Sequence, residues 1–181
     1  MKPGIKILLL ANFINIFGYA FFAPLYAIFA QKINANVFVI ASSWGAYTIT
    51  TGILMLIIGR LENSMPNKKY LVVLGYFILS FGALSFLLVQ NTFQLFAVQL
   101  LNAIGTGIVT PAWKTLYSKS EDRGEETKEW SFYDGGNMLF IGTGSVIGGL
   151  VVREFGFSAL FVVIFFIQLT AAFISLNLLR K

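Results

Sequence analysis

The sequence contains no cysteine and no histidine, and charged residues make up only 12% of it. Without a thiol or an imidazole the chain builds no Cys-His or Ser-His-Asp nucleophile, no thiolate or histidine metal site, no haem ligand set and no disulfide. An enzyme is therefore not expected, and neither is a cofactor or a metal. An ordinary soluble domain carries roughly 25% charged residues. The deficit here accompanies 57% hydrophobic residues, a balance that belongs in lipid rather than in water. Since one span takes about 20 apolar residues, 181 residues hold six spans and short loops, with no room for a soluble catalytic domain.

Uncharged stretches run over 7–30, 33–59, 70–113, 135–152 and 155–179. The third has 44 residues, about twice a bilayer thickness as one helix, so it must turn back, and Gln90-Asn91-Thr92 is its polar break. Six helices are predicted, at about 6–30, 37–60, 70–89, 93–116, 132–153 and 158–178. The first follows Lys2 and Lys6 but exceeds a signal-peptide core and lacks a small-residue cleavage site, so it reads as a retained helix.

The loops are asymmetric in charge. Lys2, Lys6, Arg60, Lys68, Lys69, Lys114, Lys119, Arg123, Lys128, Arg180 and Lys181 fall on one side, and only Lys32 and Arg153 on the other. The positive-inside rule puts both termini, the 61–69 loop and the 117–131 loop in the cytoplasm. The expected protein is a multi-pass integral protein of the inner or plasma membrane. Its net charge of +5 is accounted for by loop sidedness, so no nucleic-acid partner is expected. The 117–131 loop mixes acids and bases and reads as a surface helix or a solvated connector.

Spans one and four share a pattern at a constant offset of 87 residues: Asn12 with Gln99, Asn15 with Asn102, Gly18 with Gly105, Pro24 with Pro111 and Tyr26 with Trp113. The same offset carries span three onto span six, and span two onto span five with a slip of several residues. An odd number of spans intervenes, so the second copy crosses the membrane in the opposite sense. The expected architecture is one all-α membrane domain, an inverted three-plus-three repeat with copies at 1–90 and 91–181.

Asn12, Asn15 and Tyr19 share one face of span one, and Gln99, Asn102 and Thr106 share one face of span four. Uncompensated amides are costly in hydrocarbon, so both faces should point into the bundle or a water-filled cavity. Facing each other, they would line an uncharged route near mid-membrane, with Tyr26 and Trp113 toward its ends; interhelical hydrogen bonding without a ligand is the alternative. No Asp, Glu, Lys or Arg lies in the middle of any span. Asp134 is the sole candidate for ion coupling, against a plainer role as a cap at the start of span five. Span five is glycine-dense: Gly144 and Gly148 form a small-xxx-small pair, and Gly142 and Gly149 extend its smooth surface. Pro24 and Pro111 should bend spans one and four at matching depth.

These residues resemble the amino-terminal six-helix half of a major facilitator superfamily transporter over nearly the whole chain. Gly59 matches the glycine that opens that family's loop between helices two and three, where Asn63, Ser64, Pro66, Asn67 and Lys68 replace most of its acidic and basic positions. Glu62 and Lys69 are the available substitutes for the latch that those charges form. Span four carries Gln99, Asn102, Ala103, Gly105 and Gly107 in place of the family's Arg-x-x-Gln-Gly-x-Gly-x-Gly. Losing that arginine weakens the case for proton antiport. Gly144-Ser145-Val146-Ile147-Gly148-Gly149 resembles the antiporter signature with Ser145 replacing proline. Arg123, Phe155-Gly156-Phe157 and Leu160-Phe161 also fall at family positions. The resemblance implies alternating-access transport of a small solute, with drug or metabolite efflux as one direction. It places spans one, two, four and five along the route and three and six toward lipid. It also implies a partner besides membrane lipid and the small-molecule substrate: a second six-helix half, supplied by another copy, another chain or the remainder of a longer protein. A non-transporting membrane scaffold or assembly subunit is the competing expectation.

Overall fold

The computed structural model describes residues 3–62, 67–122 and 124–179. Lys2, Asn63, Ser64, Pro66, Arg123, Arg180 and Lys181 lie outside the described residues, as does the side chain of Glu62. The described chain is helical: α1 (Pro3–Phe22), α2 (Tyr26–Lys32), α3 (Val37–Glu62), α4 (Lys69–Ser85), α5 (Thr92–Ser118) and α6 (Glu126–Leu176), with 3₁₀ turns at Ala23–Leu25 and Phe86–Leu88. Five helical stretches are long and apolar enough to cross a membrane: Gly4–Lys32, Val37–Leu61, Lys69–Leu88, Thr92–Ser118 and Glu126–Leu176.

The break expected at Gln90-Asn91-Thr92 is built as a reciprocal cap. Asn91 Oδ1 accepts from the Gln94 N–H at 3.0 Å, and Gln94 Oε1 accepts from the Gln90 N–H at 2.7 Å, so two donors at the start of α5 find partners. Asn36 begins α3 in the same way, accepting from the Val39 N–H at 2.9 Å.

The last stretch is 51 residues long but is not one straight helix. Gly156 has φ 81° and ψ 178°, a conformation effectively reserved for glycine, and the helical path breaks there. Contacts fix the direction on each side. A Cβ on Gly136, Gly144 or Gly148 would strike Phe13, Phe17 or Phe21 in turn, so 126–155 ascends beside α1. Beyond the break, Phe161 meets Phe22 and Phe29, Gln168 meets Gly18, and Ala172 joins the cluster around Ile5 and Leu8, so 157–176 descends beside it.

Other boundaries also depart from expectation. α5 extends to Ser118 and α6 begins at Glu126, so the 117–131 connector shrinks to a turn and its second half becomes helix. Asp134 consequently lies in the third turn of α6, exposed, and does not cap it. The two prolines act differently: the helical run is interrupted at Pro24 by the Ala23–Leu25 turn, whereas α5 continues through Pro111.

α1 packs along both parts of α6, while α5 packs against α3 and α4, and α4 also touches α6. Two apolar clusters result. One gathers Ile5, Leu8, Val72, Val109, Trp113 and Tyr117 near the ends of the helices that carry the basic loops. The other gathers Phe21, Phe29, Phe86, Leu95, Phe157 and Phe161 at the opposite end. α1 and α5 make little direct contact with each other, and a cavity occupies the space between them.

Candidate functional site

The cavity measures about 250 Å³, close to the lower end of the roughly 300–1,000 Å³ typical of small-molecule pockets. Asn12, Asn15, Tyr19 and Tyr26 line it from α1 and α2, and Gln99, Asn102, Thr106 and Trp113 line it from α5. All eight residues expected along a route therefore line one space. Asp134 is not among its lining, whereas Lys114, exposed beside Trp113, is. Among the described residues no group of three or more His, Cys, Asp or Glu side chains is arranged to hold a metal ion.

The polar groups divide into those already engaged and those left open. Asn12 Nδ2 donates to Asn137 Oδ1 of α6 at 2.8 Å, and Asn102 Nδ2 donates to the Val98 carbonyl of its own helix at 2.9 Å. The Trp113 indole N–H donates to the Leu8 carbonyl at 3.2 Å, tying α5 to α1. Ser43 donates to the Ile40 carbonyl at 3.0 Å, which leaves Tyr26 as donor in the 2.5 Å bond between the two hydroxyls. Tyr47 of α3 and Thr106 share a hydrogen bond at 3.2 Å. In contrast, Asn15 Oδ1, Gln99 Nε2 and Gln168 Oε1 are buried at the cavity without a well-formed hydrogen bond, the Gln99 amide facing the Tyr26 hydroxyl but not in bonding geometry with it. Gln99 is 4% exposed and Gln168 5%. An amide left unpaired in a dry interior costs roughly 1–3 kcal/mol, so three at one cavity mark a place where solvent or solute completes the bonding.

Aromatic rings gather at both ends. Trp113 stacks on Tyr117 and Tyr133 at 4.9 and 4.6 Å, and the Tyr117 hydroxyl donates to the Glu129 carbonyl at 2.7 Å. At the other end Phe22 and Phe86 lie 4.8 Å apart, with Phe161 5.0 Å from Phe22 and 5.2 Å from Phe86.

Two features escape the sequence reading. Gln168 is the first: it comes from the final segment, expected to face lipid, and is admitted because Gly18 has no side chain, a Cβ there standing 3.2 Å from Gln168 Cγ. Its signal is an amide near the middle of the uncharged run after Phe157. The second is the contribution of α4, whose Tyr76, Leu79 and Ala83 wall the cavity together with Phe161 and Ile164. Spans three and six thus supply one wall and are not merely lipid-facing.

Against known proteins, the model of the Major Facilitator Superfamily matches residues 8–181. The chain belongs to the Major Facilitator Superfamily. Among curated relatives, it is 22% identical over 175 residues to an uncharacterised MFS-type transporter of Methanocaldococcus jannaschii, covering 97% of this chain and 45% of that protein. It is 29% identical over 145 residues to the riboflavin transporter RibZ of Clostridioides difficile, covering 75% of this chain and 30% of that protein. The chain spans less than half of the length of these relatives. Among solved structures, the POT family transporter PepTSo aligns with a TM-score of 0.79 at 13% identity, over 98% of this chain and 37% of that one. An autoinhibited POT family peptide transporter aligns at 0.78 with 14% identity, over 99% of this chain and 38% of that one. At such identity these two likenesses establish the fold. Membership in the superfamily and five long apolar stretches make this a multi-pass integral membrane protein, and its relatives are transporters rather than enzymes.

Proposed function

We propose that this superfamily chain is one six-helix half of a solute transporter working by alternating access, with the α1–α5 cavity as its share of the route. The observation that carries the reading is the convergence of amides and aromatics from α1 and α5 on one space, with three amide atoms left unpaired. A solute arriving there would supply the missing partners, and the absence of charge among those three groups fits an uncharged or amphipathic compound. Efflux of such compounds is the direction in keeping with the sequence resemblance.

In this reading Gly156 divides α6 into two spans, giving six in an inverted three-plus-three arrangement. Its support is a packing pattern that exchanges under the repeat. Gly18 of span one abuts Ile167 and Gln168 of span six, and Gly105, its partner in span four, abuts Ile78 and Leu79 of span three. Ala20 abuts Gly144 of span five, and Gly107 abuts Leu54 of span two. The charge asymmetry then places both termini in the cytoplasm of a cell bounded by this membrane. Cysteines introduced singly at Asn34, Asn91 and Phe155 should label from outside, and those at Asn67 and Gly124 only from inside.

Transport itself is tested in vesicles with the complete protein. Asn15→Leu should reduce uptake well beyond any reduction in folded protein, and parallel loss of both would support the alternative of a non-transporting scaffold. That alternative rests on the Asn12–Asn137 bond, in which an expected route amide serves as interhelical glue. A second six-helix unit, whether another copy or the rest of a longer chain, would cover the opposite side of the cavity, with lipid around the outside.

A further inference from the structure

We propose that Asn15, Gln99 and Gln168 form one recognition cluster for a neutral, flat ring system bearing a lactam-type edge, an N–H donor beside a carbonyl acceptor. The proposal rests on the reading of the cavity as a solute site and adds the chemistry of the solute, together with a recognition residue on the final segment. The open atoms are two acceptors, Asn15 Oδ1 and Gln168 Oε1, and one donor, Gln99 Nε2. A carbonyl on the solute answers the Gln99 donor, and the adjacent ring N–H answers Gln168 Oε1, with Asn15 Oδ1 left to water or to a second N–H of a larger solute. A carboxylate or an ammonium would instead bring a charge that none of the three amides neutralises, into a space whose only charged lining residue among the described residues, Lys114, is exposed beside Trp113 at the far end from the phenylalanine rings.

The shape restricts the class further. Gly18 lets the Gln168 side chain approach α1, so amides from α1, α5 and α6 meet one cavity. Phe22, Phe86 and Phe161 stand within 4.8–5.2 Å of one another at its outer end, presenting ring faces and edges that suit an aromatic plane better than a branched or sugar-like solute. The volume of about 250 Å³ accommodates a one- or two-ring compound on this side of the route.

The test uses the full chain in lipid nanodiscs with two probes of nearly the same shape, 2-quinolinone and 1-methyl-2-quinolinone, followed by equilibrium dialysis and by quenching of tryptophan emission. The lactam N–H is the difference between them, and losing one such bond should weaken binding about tenfold. Gln168→Met should bring the two affinities together while leaving that of the methylated probe unchanged. Because the wild-type comparison needs no substitution, misfolding of the variant would not remove the test. Equal affinities in the wild type, no saturable binding of either probe, or a probe ratio that survives Gln168→Met would overturn the proposal. None of these results touches transport of other solutes by the complete protein, so the two readings fail separately.

Discussion

Gly148 and Gly149 are neighbours on α6 with opposite surroundings. A Cβ on Gly148 would overlap the backbone of Phe21, whereas one on Gly149 would meet nothing within 4 Å. The contrast extends along the helix. Gly144 and Gly148, four residues apart, lie against the α1 backbone, the close approach that small-xxx-small spacing permits. Gly135, Gly142 and Gly149 recur every seven residues and face open space, and on α3 so do Gly45, Gly52 and Gly59 at the same interval. A seven-residue repeat drifts by only about 20° per step on a helix, so each set forms a nearly straight groove suited to a neighbour at a small crossing angle. Glycine density alone joins the two sets; the spacing separates a contact made within this chain from a surface that this chain leaves uncovered.

The largest expected effect sharpens that distinction directly. Gly148→Leu forces α1 and α6 apart at a point where backbone, not a movable side chain, is in the way, and should cost about 3 kcal/mol or more. Gly149→Leu should leave the folded chain intact, or slightly steadier, since leucine is the better helix former by up to about 1 kcal/mol. Yield of folded protein and denaturation in detergent micelles would read both. Equal damage from the two substitutions would mean that the open face is covered in the membrane by part of this same chain.

Next in size is the effect on assembly. If the seven-residue grooves on α3 and α6 receive the second unit proposed above, Gly52→Leu combined with Gly142→Leu should weaken association severalfold in a fluorescence-transfer assay in bilayers while the melting of the chain itself stays unchanged. Undiminished association would assign the contact to another surface, with the polar faces of α1 and α5 next in line.

The same division between covered and open separates two amides one turn apart on α1. Asn12 is bonded to Asn137, so Asn12→Leu strands a partner that is 8% exposed and should destabilise the bundle by roughly 0.6–1 kcal/mol, the scale of interhelical hydrogen bonds measured in membrane proteins. Asn15 Oδ1 has no partner, so Asn15→Leu should cost little stability and act on solute handling instead. Melting and vesicle uptake measured on both variants would break the comparison if their profiles coincided.

Much of this was legible in the sequence, and the gaps have physical causes. The helices, the Gln90–Thr92 break and the membership of Asn12, Asn15, Gln99 and Asn102 in facing polar surfaces follow from hydropathy and helical spacing, because charge and amides are expensive in lipid. Which amide is spent on a neighbour does not follow, since Asn137 and Val98 are chosen by tertiary packing. Gln168 reads as an isolated polar residue until Gly18 is seen beside it. Asp134 reads as a helix start until the acidic connector folds into the first turns of α6, where Glu126 and Glu129 occupy the N-terminal positions that favour negative charge. Pro24 and Pro111 read alike, yet only the first interrupts its helix.

Tyr26→Phe carries the smallest expected effect and the finest discrimination. The Tyr26 hydroxyl donates to Ser43, and Ser43 keeps the Ile40 carbonyl as its own acceptor after the change, so the serine donor is not stranded. Serine loses a proton on one lone pair, and the aromatic contact with Trp44 at 5.6 Å remains. The loss should therefore be below about 0.6 kcal/mol, the average for such bonds in membrane proteins. Trp113→Phe strips a donor from the opposite end of the cavity, where the Leu8 carbonyl retains its helical partner, and in addition removes ring volume from a site that is 3% exposed. Similar small shifts in melting for the two variants would mean that both belts hold chiefly by ring packing. A loss for Trp113→Phe clearly larger than the removed ring volume accounts for would show the belt around Trp113 to depend on its polar tether to α1.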